Sequence, residues 1–174
     1  MPGSGKTTVG QQLAAALGWS LIDSDDQIRS RYGMTGGELV DRSGLAVLHR
    51  SESRLLVEAL EDRTPAVICA AASVAESPAA VEALEASGAA IVHLTADPQI
   101  LVSRQPPGSH RRPIGPEEME ALAVARRATY HRLAGLTVDT GLRSPGETVE
   151  AILTELGCDD AKSRGASTNR ERGE

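Results

Sequence analysis

Lys6 sits between two glycines and two threonines in the opening stretch M-P-G-S-G-K-T-T-V-G. Those residue types at that spacing are what phosphate binding requires. Glycines at 3 and 5 let the backbone turn tightly enough for successive N–H groups to point at phosphate oxygens. A lysine ammonium neutralises the β- and γ-phosphates, and a threonine hydroxyl directly after it can ligate Mg²⁺. The phosphate loop G-x-x-x-x-G-K-[ST] is matched in its last three positions by Gly5, Lys6 and Thr7; its first glycine would fall one position before Met1. The nucleotide-contacting set read from the stretch is Pro2, Gly3, Ser4, Gly5, Lys6, Thr7 and Thr8, with Thr8 adding a phosphate contact. A helix must follow, to bring the positive end of its dipole to the same place. Val9, Leu13, Ala16 and Leu17 supply its apolar face and Gly18 its stop. The competing reading is an ordinary Gly-Ser turn capping a helix. The density of the match, immediately before an amphipathic segment, favours the loop.

The elements that would position this loop can be read in order. S-L-I-D (20–23) is a short strand ending on acid, so Asp23 and Asp25 follow a strand. Helical turns are expected over 25–32 and 36–42, and a longer helix over 45–60 with Leu48, Leu55, Leu56 and Leu60 facing the core. A-V-I-C (66–69) and A-A-I-V-H-L (89–94) are continuous apolar runs, the mark of strands buried on both faces. A helix lies between them at 78–87, and Asp97-Pro98 begins another. Helices over 117–134 and 146–157 flank the strand L-T-V-D (136–139). Strands alternating with helices predict an α/β fold of three layers, a parallel sheet flanked by helices on both faces. In such sheets ligands gather at the carboxyl ends of strands, where Asp23, Asp25 and the 70–73 segment fall.

Composition narrows the functional classes. The chain of 174 residues is long enough for one domain with a proper core, expected over 1–157, and 40% of it is hydrophobic. One Trp, two Tyr and no Phe mean that Leu, Val, Ile and Ala build that core. A net charge of −6 argues against broad binding to nucleic acid or anionic membranes. No apolar run approaches a membrane span, no secretion signal is read, and Cys69 and Cys158 carry no metal-like spacing. The expectation is a cytoplasmic monomer with a small-molecule substrate and no nucleic-acid or membrane partner. The small, charged 158–174 segment is expected to be a disordered tail.

Taken together, these motifs resemble the shikimate kinase family, P-loop enzymes similar to nucleoside-monophosphate kinases that transfer the ATP γ-phosphoryl to the shikimate 3-hydroxyl. The resemblance covers about 1–157. P-G-S-G-K-T-T-V-G-Q-Q-L-A matches the family's loop and first helix, and D-S-D (23–25) its D-x-D. It implies ATP and Mg²⁺ as cofactors. By that match Asp23 helps Thr7 place the metal, and Asp25 binds substrate hydroxyls and can act as base. R-R-A-T-Y (126–130) resembles R-x-P-x-Y, which makes Arg126 the ligand of the acceptor carboxylate. The stretch 105–116 resembles the family's lid, with Arg112 reaching the transferring phosphate alongside Lys6. V-D-T-G-L-R-S-P-G-E (138–147) resembles the stretch near adenine, which implicates Arg143 and Pro145, and Arg104 matches an arginine flanking the base.

Two departures fall on the acceptor half. Where the family carries Gly-Gly-Gly against shikimate, this chain has Ala70, Ala71 and Ala72, whose Cβ atoms occupy that surface and make positive φ costly. Where the family places a second carboxylate-binding arginine, the ungapped count reaches His49, which cannot form the bidentate fork of an arginine. Alternatives to shikimate phosphorylation are therefore a sibling kinase for another polyol or hydroxy acid, and a catalytically weak nucleotide-binding homologue.

A phosphate loop joins a buried strand to its helix, and no residues for that first strand stand before Met1. In this fold the first strand lies between the strand ending at Cys69 and the one ending at Leu94. The expectation is that about 8–12 further residues, apolar strand plus glycine, belong upstream. The form carrying them should then be soluble and bind ATP, and the chain as it stands should be poorly folded or weakly active. A cooperative melt with micromolar ATP affinity for the 174-residue chain would contradict this.

Overall fold

The computed structural model describes residues 1–105 and 114–158. Four strands and eight α-helices alternate along them. Helix α1 (Lys6–Leu17) leads to β1 (Ser20–Asp23), followed by α2 (Ser24–Tyr32), α3 (Gly36–Ser43) and α4 (Leu45–Glu61). Strand β2 (Ala66–Cys69) passes through a 3-10 turn (Ala72–Glu76) into α5 (Pro78–Ser87). Then come β3 (Val92–Thr95), α6 (Pro98–Ser103), α7 (Pro116–Leu133), β4 (Leu136–Asp139) and α8 (Pro145–Glu155). The expected helices and the strands at 20–23, 66–69 and 136–139 form. Strand β3 starts three residues later than its apolar run suggests. Its ladder with β4 pairs Val92 with Leu136, and the carbonyl of Ile91 instead accepts from the amides of Gly135 and Leu136.

The caps are readable in the residues. Asp23, Ser77, Asp97 and Ser144 each accept a backbone N–H at the start of a helix, and Ser144 forms a capping box with Glu147. Thr35 and Glu38 do the same for α3.

All strand pairing is parallel. β1 pairs with β2 in the register Ser20 to Ala66 through Asp23 to Cys69, and β3 pairs with β4. Among the described residues these are two separate two-stranded sheets. Between them lies an apolar slot of about 560 Å³, lined by Val67, Ile68, Cys69 and Ala70 on one side and by Val92, His93 and Leu94 on the other. Val9, Gly10 and Leu13 of α1 line it as well. The slot corrects the expectation of strands buried on both faces: Ala66, Val67, Ile68, Val92 and His93 are only half-buried, because each strand is hydrogen-bonded along one edge.

Packing is divided accordingly. Val9 and Leu13 of α1 meet Leu94, Val138, Val149, Ile152 and Leu153 in one cluster. Ile28, Leu39, Leu48 and Leu55 form a second beneath α2 and α3, and Leu56, Ala71, Val74 and Ala80 a third. Leu101 and Met119 join α6 to α7. The leucines expected at the core of α4 are there, with Leu60 half-buried.

Gly10 is where α1 touches the sheet. A Cβ there would lie 2.2 Å from Cys69 Sγ and 3.3 Å from Leu21 Cδ1. Gly10→Ala should therefore cost about 1–3 kcal/mol by overpacking, a fall in Tm of roughly 3–8 °C. Gly146→Ala in α8, where a Cβ meets nothing within 4 Å, should stay within about 1 kcal/mol of the parent. Calorimetric melts of the two variants check this, and equal Tm values would contradict it.

Candidate active site

The phosphate loop is shaped by two left-handed glycines, Gly3 at φ 76° and Gly5 at φ 86°. Gly3 also makes the loop's closest approach to its surroundings: a Cβ there would sit 2.3 Å from the carbonyl oxygen of Leu101. Ser4 between them is fully buried and its hydroxyl donates to the Met1 carbonyl at 2.8 Å. The Lys6 ammonium donates to that same carbonyl at 3.0 Å, so it lies folded along the loop. Gly5 caps α1 with no side-chain hydrogen bond, leaving the first-turn N–H groups facing the cleft for an anion.

β1 delivers the acidic side. Asp23 is buried at its last residue and accepts twice, from the Thr7 hydroxyl at 2.9 Å and from the Asp25 amide at 2.9 Å. The first bond ties the loop helix to the strand end; the second starts α2 and turns Asp25 into the cleft. Thr7 and Asp23 thus present a hydroxyl and a carboxylate oxygen side by side. That hard-oxygen pair suits Mg²⁺, which takes one or two protein ligands and completes its shell with water and phosphate.

The third side centres on Thr140, buried just after β4. Its hydroxyl lies 3.3 Å from the Ser4 carbonyl and 3.2 Å from that of Thr95, and it accepts from Arg104 at 3.1 Å. Arg104 also donates to the Thr140 carbonyl at 2.8 Å. Arg143 donates to the Asp139 carbonyl at 3.0 Å, and Pro145 opens α8. Both arginines spend part of their donor capacity on backbone, which fixes them at the cleft rim. Gln105 and Ile114 are joined by two hydrogen bonds of 2.8 and 2.9 Å, clamping the ends of the 105–116 segment together. Arg112, expected to act from that segment, lies outside the described residues, as do 106–113 as a whole.

These groups line one open cleft of about 850 Å³. The structure brings together there Pro2, Gly3, Ser4, Gly5, Lys6, Thr7, Thr8, Asp23, Asp25, Arg104, Arg143 and Pro145, all read from the sequence as metal, nucleotide or catalytic residues. Ala71 and Ala72 reach it as well. Three acceptor candidates do not. Ala70 lines only the apolar slot, which Ala71 and Ala72 also reach. His49 is half-buried on α4, outside both cavities. Arg126 is buried in α7, and its Nε pairs with the Glu76 carboxylate at 2.7 Å. The alanine run is accommodated without strain: no non-glycine residue among those described has positive φ, and Ala71 sits at φ −61°.

Several site residues escaped the sequence reading. Arg29 and Thr35 line the cleft, and Thr140 knits it together. Glu52 is buried and accepts a short hydrogen bond from Ser73. Its signal was available, since a glutamate four residues after Leu48 and three before Leu55 interrupts an otherwise apolar helix face. Glu76 and Thr140 carry no comparable pattern.

A glycine-shaped phosphate loop, its lysine and threonine, and an acid at the neighbouring strand end define a P-loop phosphotransferase. The family profile described as shikimate kinase matches residues 2–157, and the chain belongs to that family. The shikimate kinase of Mycobacterium tuberculosis strain H37Ra is 35% identical over 161 residues, 90% of this chain and 89% of that one. That of Mycobacterium ulcerans is 33% identical, over 90% and 85%. Among solved structures, the Aquifex aeolicus shikimate kinase superposes with a TM-score of 0.73 at 25% identity, over 88% of this chain and 90% of its own. The Acinetobacter baumannii shikimate kinase, solved in complex with shikimate, shares the fold with a TM-score of 0.82 at 24% identity, over 89% and 88%.

Cys69 shows how the slot and the cleft are partitioned. Its thiol donates to the Lys6 carbonyl at 3.2 Å, and burial, with the Asp23 charge adding, pushes it up to about 11 against the opposing pull of Lys6. The thiolate is the reactive form. At pH 8 the folded protein should titrate one fast thiol with Ellman's reagent, Cys158, and two in denaturant. Equal fast reaction of both cysteines without denaturant would contradict the buried, bonded Cys69.

Proposed function

We propose that the chain transfers the γ-phosphoryl group of ATP to the 3-hydroxyl of shikimate, as a cytoplasmic monomer with Mg²⁺ as the metal. One observation carries the reading: Lys6, Thr7, Asp23 and Asp25 converge on one cleft through a hydrogen-bonded relay from the loop to the strand end. The relatives that match over nine-tenths of the chain bear the same name.

Phosphoryl transfer asks the protein for position and charge rather than covalent chemistry. The loop amides and the α1 N-terminus take the β-phosphate, and Lys6 swings from the Met1 carbonyl onto the β- and γ-oxygens. Arg104, Arg143 and Pro145 hold the base side. Asp25 accepts the hydrogen bond of the acceptor hydroxyl and takes its proton as the new P–O bond forms and the bond from the γ-phosphorus to the β–γ bridging oxygen breaks, with ADP leaving. Thr7 and Asp23 would hold Mg²⁺, which supplies charge neutralisation across the β- and γ-phosphates. Arg112, which lies outside the described residues, is assigned the remaining charge stabilisation. Arg126, buried outside the cleft lining and paired with Glu76, takes the acceptor carboxylate once that pair opens, and Ala71 and Ala72 form part of the cleft wall.

A second reading, a different hydroxylated acceptor, is favoured by the same wall: alanines in place of glycines, His49 outside the cleft, and Arg126 already paired. A coupled assay of ATP consumption at saturating ATP and Mg²⁺, with shikimate and then a panel of polyols and hydroxy acids, separates the two. Shikimate is expected to be turned over. Faster turnover of another acceptor would replace it.

Lys6→Ala should lower kcat by about a hundredfold or more, since the loss of a transition-state cation costs roughly 3 kcal/mol. Activity within about tenfold of the parent would refute the loop assignment. Glycines at 71 and 72, the two alanines that line the cleft, should lower the KM for shikimate by about threefold by taking their Cβ atoms out of its wall. No change on a folded protein would argue for another acceptor.

A further inference from the structure

Arg126 is a buried cation with its counter-ion built in. Its side chain is 7% exposed, and the Glu76 carboxylate meets its Nε at 2.7 Å. Glu76 is 44% exposed, at the end of the 3-10 turn Ala72–Glu76. The two ends of that turn are held differently. At its start the Ala72 carbonyl accepts from Tyr130 OH at 3.1 Å, one helical turn along α7 from Arg126. At its end the Glu76 side chain reaches out of solvent to the guanidinium. Arg126 also lies beside the phosphate loop: its NH1 is 3.8 Å from Met1 Sδ, and the Met1 carbonyl holds Lys6.

A buried guanidinium left alone is strongly unfavourable, and one carboxylate satisfies it. Glu76 already supplies that carboxylate. An acceptor carboxylate that approaches the same fork must share it or displace Glu76. The half-exposed acid can leave, because water takes its charge. We propose that Glu76 is a specificity-determining residue of the acceptor site, an internal competitor that occupies Arg126 until a carboxylate-bearing acceptor displaces it. The inference rests on the reading of Arg126 as the acceptor's carboxylate ligand. It has a chemical consequence. The pair weakens binding of every anionic acceptor relative to its neutral counterpart, and it keeps the buried arginine from trapping stray small anions in the empty site.

The test compares shikimate with its methyl ester, which lacks the charge, by calorimetric binding to the folded 174-residue chain with a non-hydrolysable ATP analogue and Mg²⁺. Glu76→Gln keeps size and removes the charge; Glu76→Ala serves as a second variant, and circular dichroism verifies folding. Both should lower the Kd for shikimate by about three- to tenfold, the range of a partly exposed ion pair, and leave the Kd for the ester unchanged. Arg126→Lys should raise the Kd for shikimate and not for the ester. If Arg126→Lys weakens shikimate but both Glu76 variants bind it as the parent does or more weakly, the competition is overturned and Arg126 keeps its role. Equal changes for acid and ester in the Glu76 variants would mark a structural pair and also overturn it. If Arg126→Lys leaves the discrimination intact, or no variant binds shikimate at all, the reading of Arg126 fails and the competition with it.

Discussion

The hydrogen bond from Thr7 to Asp23 is the contact on which the arrangement of the cleft depends. Thr7 opens α1 and Asp23 closes β1, so one bond sets the phosphate loop against the carboxyl end of the strand pair. The other Asp23 oxygen starts α2 and so aims Asp25. A single buried carboxylate thereby positions Thr7, the start of α2 and Asp25 together. Each of its oxygens has a hydrogen-bond donor, which is what makes a buried carboxylate tolerable at this point.

Thr140 plays the corresponding part on the other sheet. It reaches the Ser4 and Thr95 carbonyls and holds Arg104, so the β3–β4 pair is fastened to the phosphate loop from behind. The loop is consequently the bridge between two strand pairs that share no ladder among the described residues. The apolar slot beneath it leaves those pairs joined by α1, by side-chain contacts and by Met1 to Lys6 rather than by sheet hydrogen bonds. That geometry explains why strands with the composition of buried ones are half-exposed here.

Charge is distributed unequally across the cleft. Arg104 and Arg143 rest on backbone carbonyls at the cleft rim, and the Glu147 carboxylate lies within electrostatic reach of Arg143. Further along α7, Arg126 is buried and neutralised by Glu76. A cation kept in the interior needs a partner whether or not a ligand is present.

The sequence by itself determined the phosphate loop and the acid at the strand end beside it. A phosphate loop is a local object: the glycines, lysine and threonine are contiguous, their backbone does the binding, and the following helix is set by its own periodicity. The cap at Asp97 was legible for the same reason, since its side chain acts on a residue two positions away. Resemblance to a family then added Arg104, Arg143 and Pro145, which the fold brings to the same cleft. What the tertiary structure alone decided was the acceptor half. Whether Ala70 faces cleft or slot depends on the rotation of β2 against α1, and whether His49 reaches the cleft depends on how α4 is rolled. Whether Arg126 meets solvent, substrate or Glu76 depends on a contact between residues fifty positions apart. No local pattern encodes such a pairing, because the attraction that makes it arises only when α7 and the turn after β2 are packed side by side in a medium of low dielectric.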